Sequence, residues 1–153
     1  MAKVETSIVI NRPIEEVFAF LSNRENNPKW ISEVTEVSKT SDAPVGVGTT
    51  WREIRKFLSQ RLENEYEYIE YEPNRKITTR SKSGPFPLEF QSRFENVEGG
   101  TRIQSIIQGE PGGFFKLAEP LLISMVKRQL ETALANLKDL MEANVFRRDQ
   151  LVK

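Results

Sequence analysis

The segment Thr49–Gln108 is organised as successive strands separated by short turns. Pro73-Asn74, Gly84-Pro85 and Glu98-Gly99-Gly100 carry the residue types that tight turns require, and Leu58-Ser59 is a weaker turn placed by its spacing. Strands joined in this way fold as an antiparallel meander. The segment therefore constrains most of the fold, because each turn also sets the register of the two strands that it joins.

The register predicted from these turns places opposite charges face to face. A turn at Pro73-Asn74 puts Glu67 opposite Arg80 and Glu65 opposite Lys82. The other turns add further pairs on the same face of the sheet, namely Arg52 with Glu65, Arg80 with Glu89, and Glu95 with Arg102. Because separate turns agree, we expect this face to be exposed to solvent.

The opposite face mixes large apolar side chains with polar ones. Its predicted members are Trp51, Glu53, Arg55, Leu62, Asn64, Tyr66, Tyr68, Thr79, Ser81, Leu88, Phe90, Ser92, Phe94, Ile103, Ser105 and Ile107. A dry core seldom holds so many hydroxyl groups and an ion pair, because each buried polar group requires a partner. A ligand cavity has such a mixture. The alternative is that the polar residues lie at strand ends, in contact with water.

The sequence before the meander predicts a strand at Val4–Ile10 and then a short helix. Asn11 as the capping residue, Pro13 in the first turn and acidic residues directly after it are typical of a helix start. A loop or a second short helix follows at Asn23–Trp30, and a further strand at Val34–Lys39.

One long helix is predicted at the C-terminal end of the chain. Apolar residues keep helical spacing there at Leu117, Leu121, Met125, Leu130, Leu134, Leu137 and Met141. We expect a first turn at 114–119, a helix from about Pro120 to Glu142, and a frayed tail at 146–153. The fold class is then α+β, with a single domain at 1–145 in which the helix packs on an antiparallel sheet.

Composition excludes several classes of function. The chain of 153 residues contains no cysteine and no histidine, so we expect no disulfide, no cysteine nucleophile, no histidine-based triad and no metal site. The net charge of zero gives no reason to expect binding to nucleic acid. The most apolar stretch, Pro120–Val126, is too short for membrane insertion, and the absence of a secretory signal predicts a cytoplasmic protein.

The inner face also supplies the candidate site residues. Glu53 is the candidate general acid or base, with Arg55 or a tyrosine as the oxyanion partner, and a structural Glu53–Arg55 contact is the competing interpretation. Core packing is likewise an alternative for the helix residues of the predicted ligand-binding set. That set consists of Trp30, Trp51, Asn64, Tyr66, Tyr68, Thr79, Phe90, Ser92, Ser105, Ile107, Leu122, Met125, Val126 and Gln129.

The ordered set of local strings resembles the polyketide cyclase/dehydratase group of the START-like, birch-pollen-allergen-like (SRPBCC) superfamily. The resemblance covers about positions 3–143 and rests on Arg12-Pro-Ile-Glu-Glu-Val-Phe-Ala-Phe-Leu21, Pro28-Lys-Trp30, Val45-Gly-Val-Gly-Thr49, Tyr68-Ile-Glu-Tyr-Glu-Pro73, Gly99-Gly-Thr-Arg-Ile103, Phe115-Lys-Leu-Ala-Glu-Pro-Leu-Leu122 and Ala135-Asn-Leu-Lys-Asp-Leu-Met-Glu142. It implies a helix-grip fold, in which a curved antiparallel sheet of about six or seven strands wraps around the long C-terminal helix, with two short helices after the first strand.

The resemblance implies that a hydrophobic or amphipathic small molecule, such as a lipid, a polyketide or an isoprenoid-like compound, binds in a cavity between sheet and helix. It carries no family-wide catalytic motif. Two alternatives stay open: a cofactor-free cyclase or dehydratase that uses Glu53, and a protein-interaction module with a vestigial cavity. We expect no cofactor, and either a monomer or a homodimer.

Overall fold

The computed structural model describes residues 2–57, 59–83, 88–109 and 119–152. Within them, seven strands form one curved antiparallel sheet in the order β1-β7-β6-β5-β4-β3-β2. The strands are β1 (Ala2–Ile10), β2 (Val34–Lys39), β3 (Thr50–Phe57), β4 (Gln60–Glu72), β5 (Lys76–Ser83), β6 (Leu88–Val97) and β7 (Gly100–Gly109). Strands β3 to β7 are the predicted meander, and β7 pairs with β1 at the far edge.

Helical elements in the described ranges precede and follow the meander. Helix α1 (Ile14–Ser22) and a 3-10 helix (Arg24–Lys29) connect β1 to β2, and helix α2 (Glu119–Val152) follows the sheet. Leu134, Leu137 and Met141 of α2 are buried in the same apolar cluster as residues of the sheet. The predicted α+β fold with two short helices after the first strand and a long C-terminal helix is confirmed.

The predicted strand register is confirmed with one exception. Glu67 faces Arg80, Arg80 faces Glu89, and Glu95 faces Arg102, with 2.8 Å between Oε1 of Glu95 and Nη1 of Arg102. The pairing of Glu65 with Lys82 is wrong, because an irregularity between Glu65 and Tyr66 shifts the register and places Ser83 opposite Glu65. A bulge adds a residue on one strand and cannot be read from turn positions alone.

The ends of α1 and α2 differ from the sequence prediction. Pro13, and not Asn11, is the residue that caps α1, and no side chain caps that end. Helix α2 continues through Val152, whereas the apolar spacing predicts an end near Glu142. The sequence from 143 to 152 contains neither glycine nor proline, so it has no residue of the types that commonly end a helix. Three predicted turns lie wholly or partly outside the described residues: Gly84-Pro85, Leu58 of Leu58-Ser59, and positions 114–118 of the first helical turn predicted at 114–119.

Helix α2 is joined to the end of β1 by a polar contact that spans the chain. Oε2 of Glu142 accepts hydrogen bonds from the backbone N–H of Asn11 (2.9 Å) and from Nζ of Lys138 (2.7 Å). Nζ of Lys138 also donates to the carbonyl of Val9 at 2.8 Å. The Asn11 amide and then Lys138 stabilise the ionised carboxylate and lower the pKa of Glu142.

The start of β7 passes directly against the end of β1. Gly100 has a φ of +136°, and a Cβ built on it would lie 2.1 Å from the carbonyl oxygen of Ile10. Its neighbour Gly99 has a φ of +90°, but a Cβ there would meet nothing within 4 Å. The close approach of the two backbones therefore requires glycine at position 100.

We predict that Gly100→Ala destabilises the protein far more than Gly99→Ala. Both substitutions incur the cost of a left-handed backbone, about 1–2 kcal/mol. Gly100→Ala adds a backbone clash that no side-chain movement relieves, and we expect roughly 2–3 kcal/mol more. Urea unfolding of the two variants measures the difference, and equal losses would contradict the close approach.

We also predict that the stability difference between the wild type and Glu142→Gln depends on pH. Because the folded pKa of Glu142 is lowered, its contribution is present above the unfolded carboxyl value of about 4.3 and is lost as the pH falls through the folded value. Thermal unfolding between pH 7 and pH 3 measures this change. Glu131→Gln, an exposed residue of the same helix, is the control; a Glu142→Gln difference that does not shrink on acidification would contradict the role of the carboxylate.

Candidate ligand-binding cavity

A cavity of about 130 Å³ lies between the inner face of the sheet and α2. Its sheet wall comes from β3 to β7, its roof from α2, and one end from the 3-10 helix and the residues directly after it. The wall is mostly apolar, with Ile77, Phe94 and Leu130 among its members, and it also carries hydroxyl, amide and charged side chains. Such a mixed wall is typical of small-molecule sites.

Many of the predicted ligand-binding residues lie on this wall. They are Trp30, Tyr68, Thr79, Phe90, Ser92, Ser105, Ile107, Val126 and Gln129. On α2 the wall follows one helical stripe, Val126, Gln129, Leu130 and Ala133, at the spacing of successive turns. The structure therefore brings these side chains together around one space, and their contact with a ligand stays a prediction.

Five members of the predicted set do not line the cavity. Trp51 is fully buried against Tyr68, with 5.5 Å between ring centroids, and Tyr66 packs against Phe90 at the same distance. Asn64, next to Trp51 and Tyr66 on the inner face, is also buried. The remaining two, Leu122 and Met125, belong to α2: Met125 is one residue away from the stripe, and Leu122 lies one turn before it.

Sequence reasoning predicted Trp30 as a wall residue but missed Arg24 and Asn27 of the 3-10 helix before it. Arg24, Asn27 and Trp30 recur every third residue and all line the cavity. In a 3-10 helix, side chains three residues apart lie on the same face. This spacing of polar and aromatic residues was the available signal, but the choice between loop and helix at this segment was open without the structure.

The end of the cavity at the 3-10 helix carries a buried cluster of charge. Glu53 on β3 is 0% exposed and lies between two arginines. Nε of Arg55 donates to its Oε2 at 3.1 Å, and Nη2 of Arg24 approaches its Oε1 at 3.4 Å. Both arginines line the cavity, whereas Glu53 does not, so the carboxylate lies behind the two guanidinium groups.

Burial and charge shift the ionisation of the groups in this cluster. Desolvation is the largest single influence on Arg55 and acts to lower its pKa, but Glu53, Tyr66 and Glu33 together outweigh it and the pKa is raised. Burial, and then the neighbouring charge of Glu53, raise the pKa of Tyr66. Burial also raises the pKa of Tyr68, whose hydroxyl donates to the carbonyl of Ser22 at 2.7 Å. Both tyrosines are therefore neutral donors near pH 7.

A second depression, of about 400 Å³, lies on the other face of the sheet. Its wall is largely charged, and the charges are paired with one another: Lys76 contacts Glu72 at 3.5 Å, and Arg102 contacts Glu95 at 2.8 Å. In such surface ion pairs each charged group already has a partner within the protein. The depression therefore offers no apolar space for a hydrophobic ligand. Among the described residues, no group of three or more acidic side chains is arranged to hold a metal. None of the described helices contains an apolar stretch of the length that spanning a bilayer requires.

Comparison with known proteins gives one family and many related folds. The family model for polyketide cyclase/dehydrase and lipid transport proteins matches residues 1–142. No curated protein matches the chain in sequence.

Solved structures with the same fold come from several bacteria. TTHA0849 from Thermus thermophilus superposes with a TM-score of 0.81 at 20% identity, covering 94% of this chain and 99% of the other. A START superfamily protein from Mycobacterium smegmatis superposes with a TM-score of 0.77 at 16% identity, covering 92% of this chain and 97% of the other. The di-domain ARO/CYC protein BexL of the BE-7585A biosynthetic pathway superposes with a TM-score of 0.73 at 14% identity, covering 90% of this chain and 49% of the other. At these identities the likeness establishes the fold.

We predict that Glu53→Gln destabilises the protein by about 3 kcal/mol or more, because it removes the buried carboxylate that two mostly buried guanidinium groups share. Chemical denaturation measures the loss. Glu63→Gln is the matched control, since Glu63 is exposed and pairs with Arg52 at the surface. If both variants lose the same stability, the buried cluster does not have the structural role that its geometry indicates.

Proposed function

The chain belongs to the polyketide cyclase/dehydrase and lipid transport family, and on that basis we propose that it binds a hydrophobic or amphipathic small molecule between the sheet and α2. The observation that carries the proposal is the cavity whose mixed wall unites the sheet, the 3-10 helix and α2. A core selected for packing alone would fill this space, since protein interiors leave few voids larger than a water molecule.

The size of the cavity bounds the part of the ligand that it encloses. An engineered protein cavity of about 150 Å³ binds benzene. The 130 Å³ observed here therefore suits one ring or a short acyl or isoprenoid segment. A longer lipid or polyketide would bind with its remaining length outside this space or with α2 displaced from the sheet.

Binding explains the polar geometry better than catalysis through Glu53 does. A general acid or base must come within hydrogen-bond reach of the substrate. Glu53 is 0% exposed, and its oxygens already contact Arg24 and Arg55. Its position supports the structural interpretation of this carboxylate, and we propose ligand binding without assigning a reaction.

Native mass spectrometry of the purified protein tests the proposal. We expect a bound small molecule in the wild type and its loss in Ala133→Leu, because Ala133 is a buried member of the cavity wall on α2. Filling the space should weaken binding by about tenfold or more. Ala135→Leu is the control, since Ala135 is exposed on the same helix. Equal ligand occupancy in the two variants would place the ligand elsewhere and overturn the proposal.

A further inference from the structure

Among the described residues, the buried side-chain polar atoms that lack a partner are all hydrogen-bond donors. They are Nε of Arg24 and the indole Nε1 atoms of Trp30 and Trp51. Arg24 and Trp30 both line the cavity, at the same end, and Trp30 is 9% exposed. Buried donors without acceptors are costly and rare. This end of the cavity is therefore short of acceptors.

Arg24 illustrates the shortage most clearly. A guanidinium group has five N–H donors. In the described part of the chain, the polar contact of Arg24 is the 3.4 Å approach to Oε1 of Glu53, which is longer than a typical hydrogen bond. Its carbon Cζ lies 5.0 Å from the ring centroid of Tyr66 and 5.9 Å from that of Phe90, so two aromatic rings lie beside the group. The side chain is 12% exposed, and water has little access to it.

The neighbouring carboxylates do not supply the missing acceptors. Glu53 is shared with Arg55, whose Nε and Nη2 contact it at 3.1 and 3.5 Å. Glu33 also lines the cavity, but it accepts a hydrogen bond from Ser32 and affects the pKa of Arg55 less than Glu53 does. Two mostly buried guanidinium groups thus depend chiefly on one buried carboxylate.

An anionic group on a ligand would supply the acceptor that the Arg24 guanidinium group lacks. A carboxylate matches the planar fork of a guanidinium group with two parallel hydrogen bonds. Phe90, beside Arg24, begins the apolar wall that continues through Ile107 and Phe94. We propose that the ligand is an amphipathic carboxylate whose head pairs with Arg24 and whose apolar part lies along this wall. This inference rests on the proposed function and specifies its ligand class.

Calorimetric titration with octanoate and 1-octanol tests the inference, because the two probes share a chain length and differ in the head group. We expect the wild type to bind octanoate about tenfold or more tightly than 1-octanol at about pH 7.5, since hydrogen bonds to a charged group are worth at least that factor. Arg24→Gln should weaken octanoate by about tenfold to a hundredfold and change 1-octanol by less than about threefold.

Two further variants separate recognition from folding. Arg24→Lys keeps a positive charge beside Glu53 and so preserves the buried pair, but it removes the planar fork; we expect octanoate to bind several times more weakly and 1-octanol to be unaffected. Arg102→Gln is the matched control, because Arg102 lies on the outer face and pairs with Glu95. It should leave the affinity for both probes unchanged.

The outcomes distinguish this inference from the function on which it rests. Equal affinity of the wild type for octanoate and 1-octanol, with no effect of either Arg24 variant, would overturn the assignment of an anionic head and leave ligand binding intact. A failure of both probes to bind, together with native mass spectra that contain no ligand, would overturn both proposals.

Discussion

The register of strands β3 to β7 is the constraint on which the rest of the structure depends. Side chains alternate between the two faces of a strand, so a slip of one residue would exchange the inner and outer sets. Pairing of Trp51 with Tyr66, Thr79 with Phe90, and Ser92 with Ser105 places all of these on the face beneath α2. The cavity wall is therefore a consequence of strand pairing, and the outer charge pairs help to specify the same register.

Much of this sheet could be predicted from the sequence, because turns and alternation are local signals. The same reasoning could not place the bulge between Glu65 and Tyr66, which depends on how β4 curves within the sheet. Nor could it find Arg24, whose partner Glu53 is 29 residues away and on a different element. That contact depends on how the 3-10 helix packs against β2 and so brings Arg24 to Glu53 of β3. Tertiary docking of this kind leaves no periodic pattern in one segment. The end of α2 differs for a simpler reason, since the apolar spacing used for the prediction ends at Met141 whereas the helix continues to Val152.

The closed end and the open space of the domain have different physical origins. At one end, Gly100 lets β7 pass against the backbone of β1, and Glu142 and Lys138 hold α2 to the same strand. The apolar residues Leu134, Leu137 and Met141 fill the space between helix and sheet there. Nearer the 3-10 helix, the residues of α2 that face the sheet are Val126, Gln129 and Ala133. Their side chains are smaller or polar and do not fill the space between helix and sheet, so the cavity remains there. The side chains along one face of α2 thus divide the interior into a packed part and a hollow part.

The charge cluster is difficult to explain as a device for stability. Burying an ion pair costs several kcal/mol in desolvation, and apolar residues of similar volume are often as stable or more stable at such positions. One arginine would suffice to neutralise Glu53, and Arg55 already makes the shortest contact with it, at 3.1 Å. Arg24 adds a second desolvated charge, and its contacts are a single 3.4 Å approach to Glu53 and two neighbouring aromatic rings. Within the described residues Nε of Arg24 and Nε1 of Trp30 are buried without an acceptor, and this shortage at the cavity is the reason that we propose a bound molecule as the source of one.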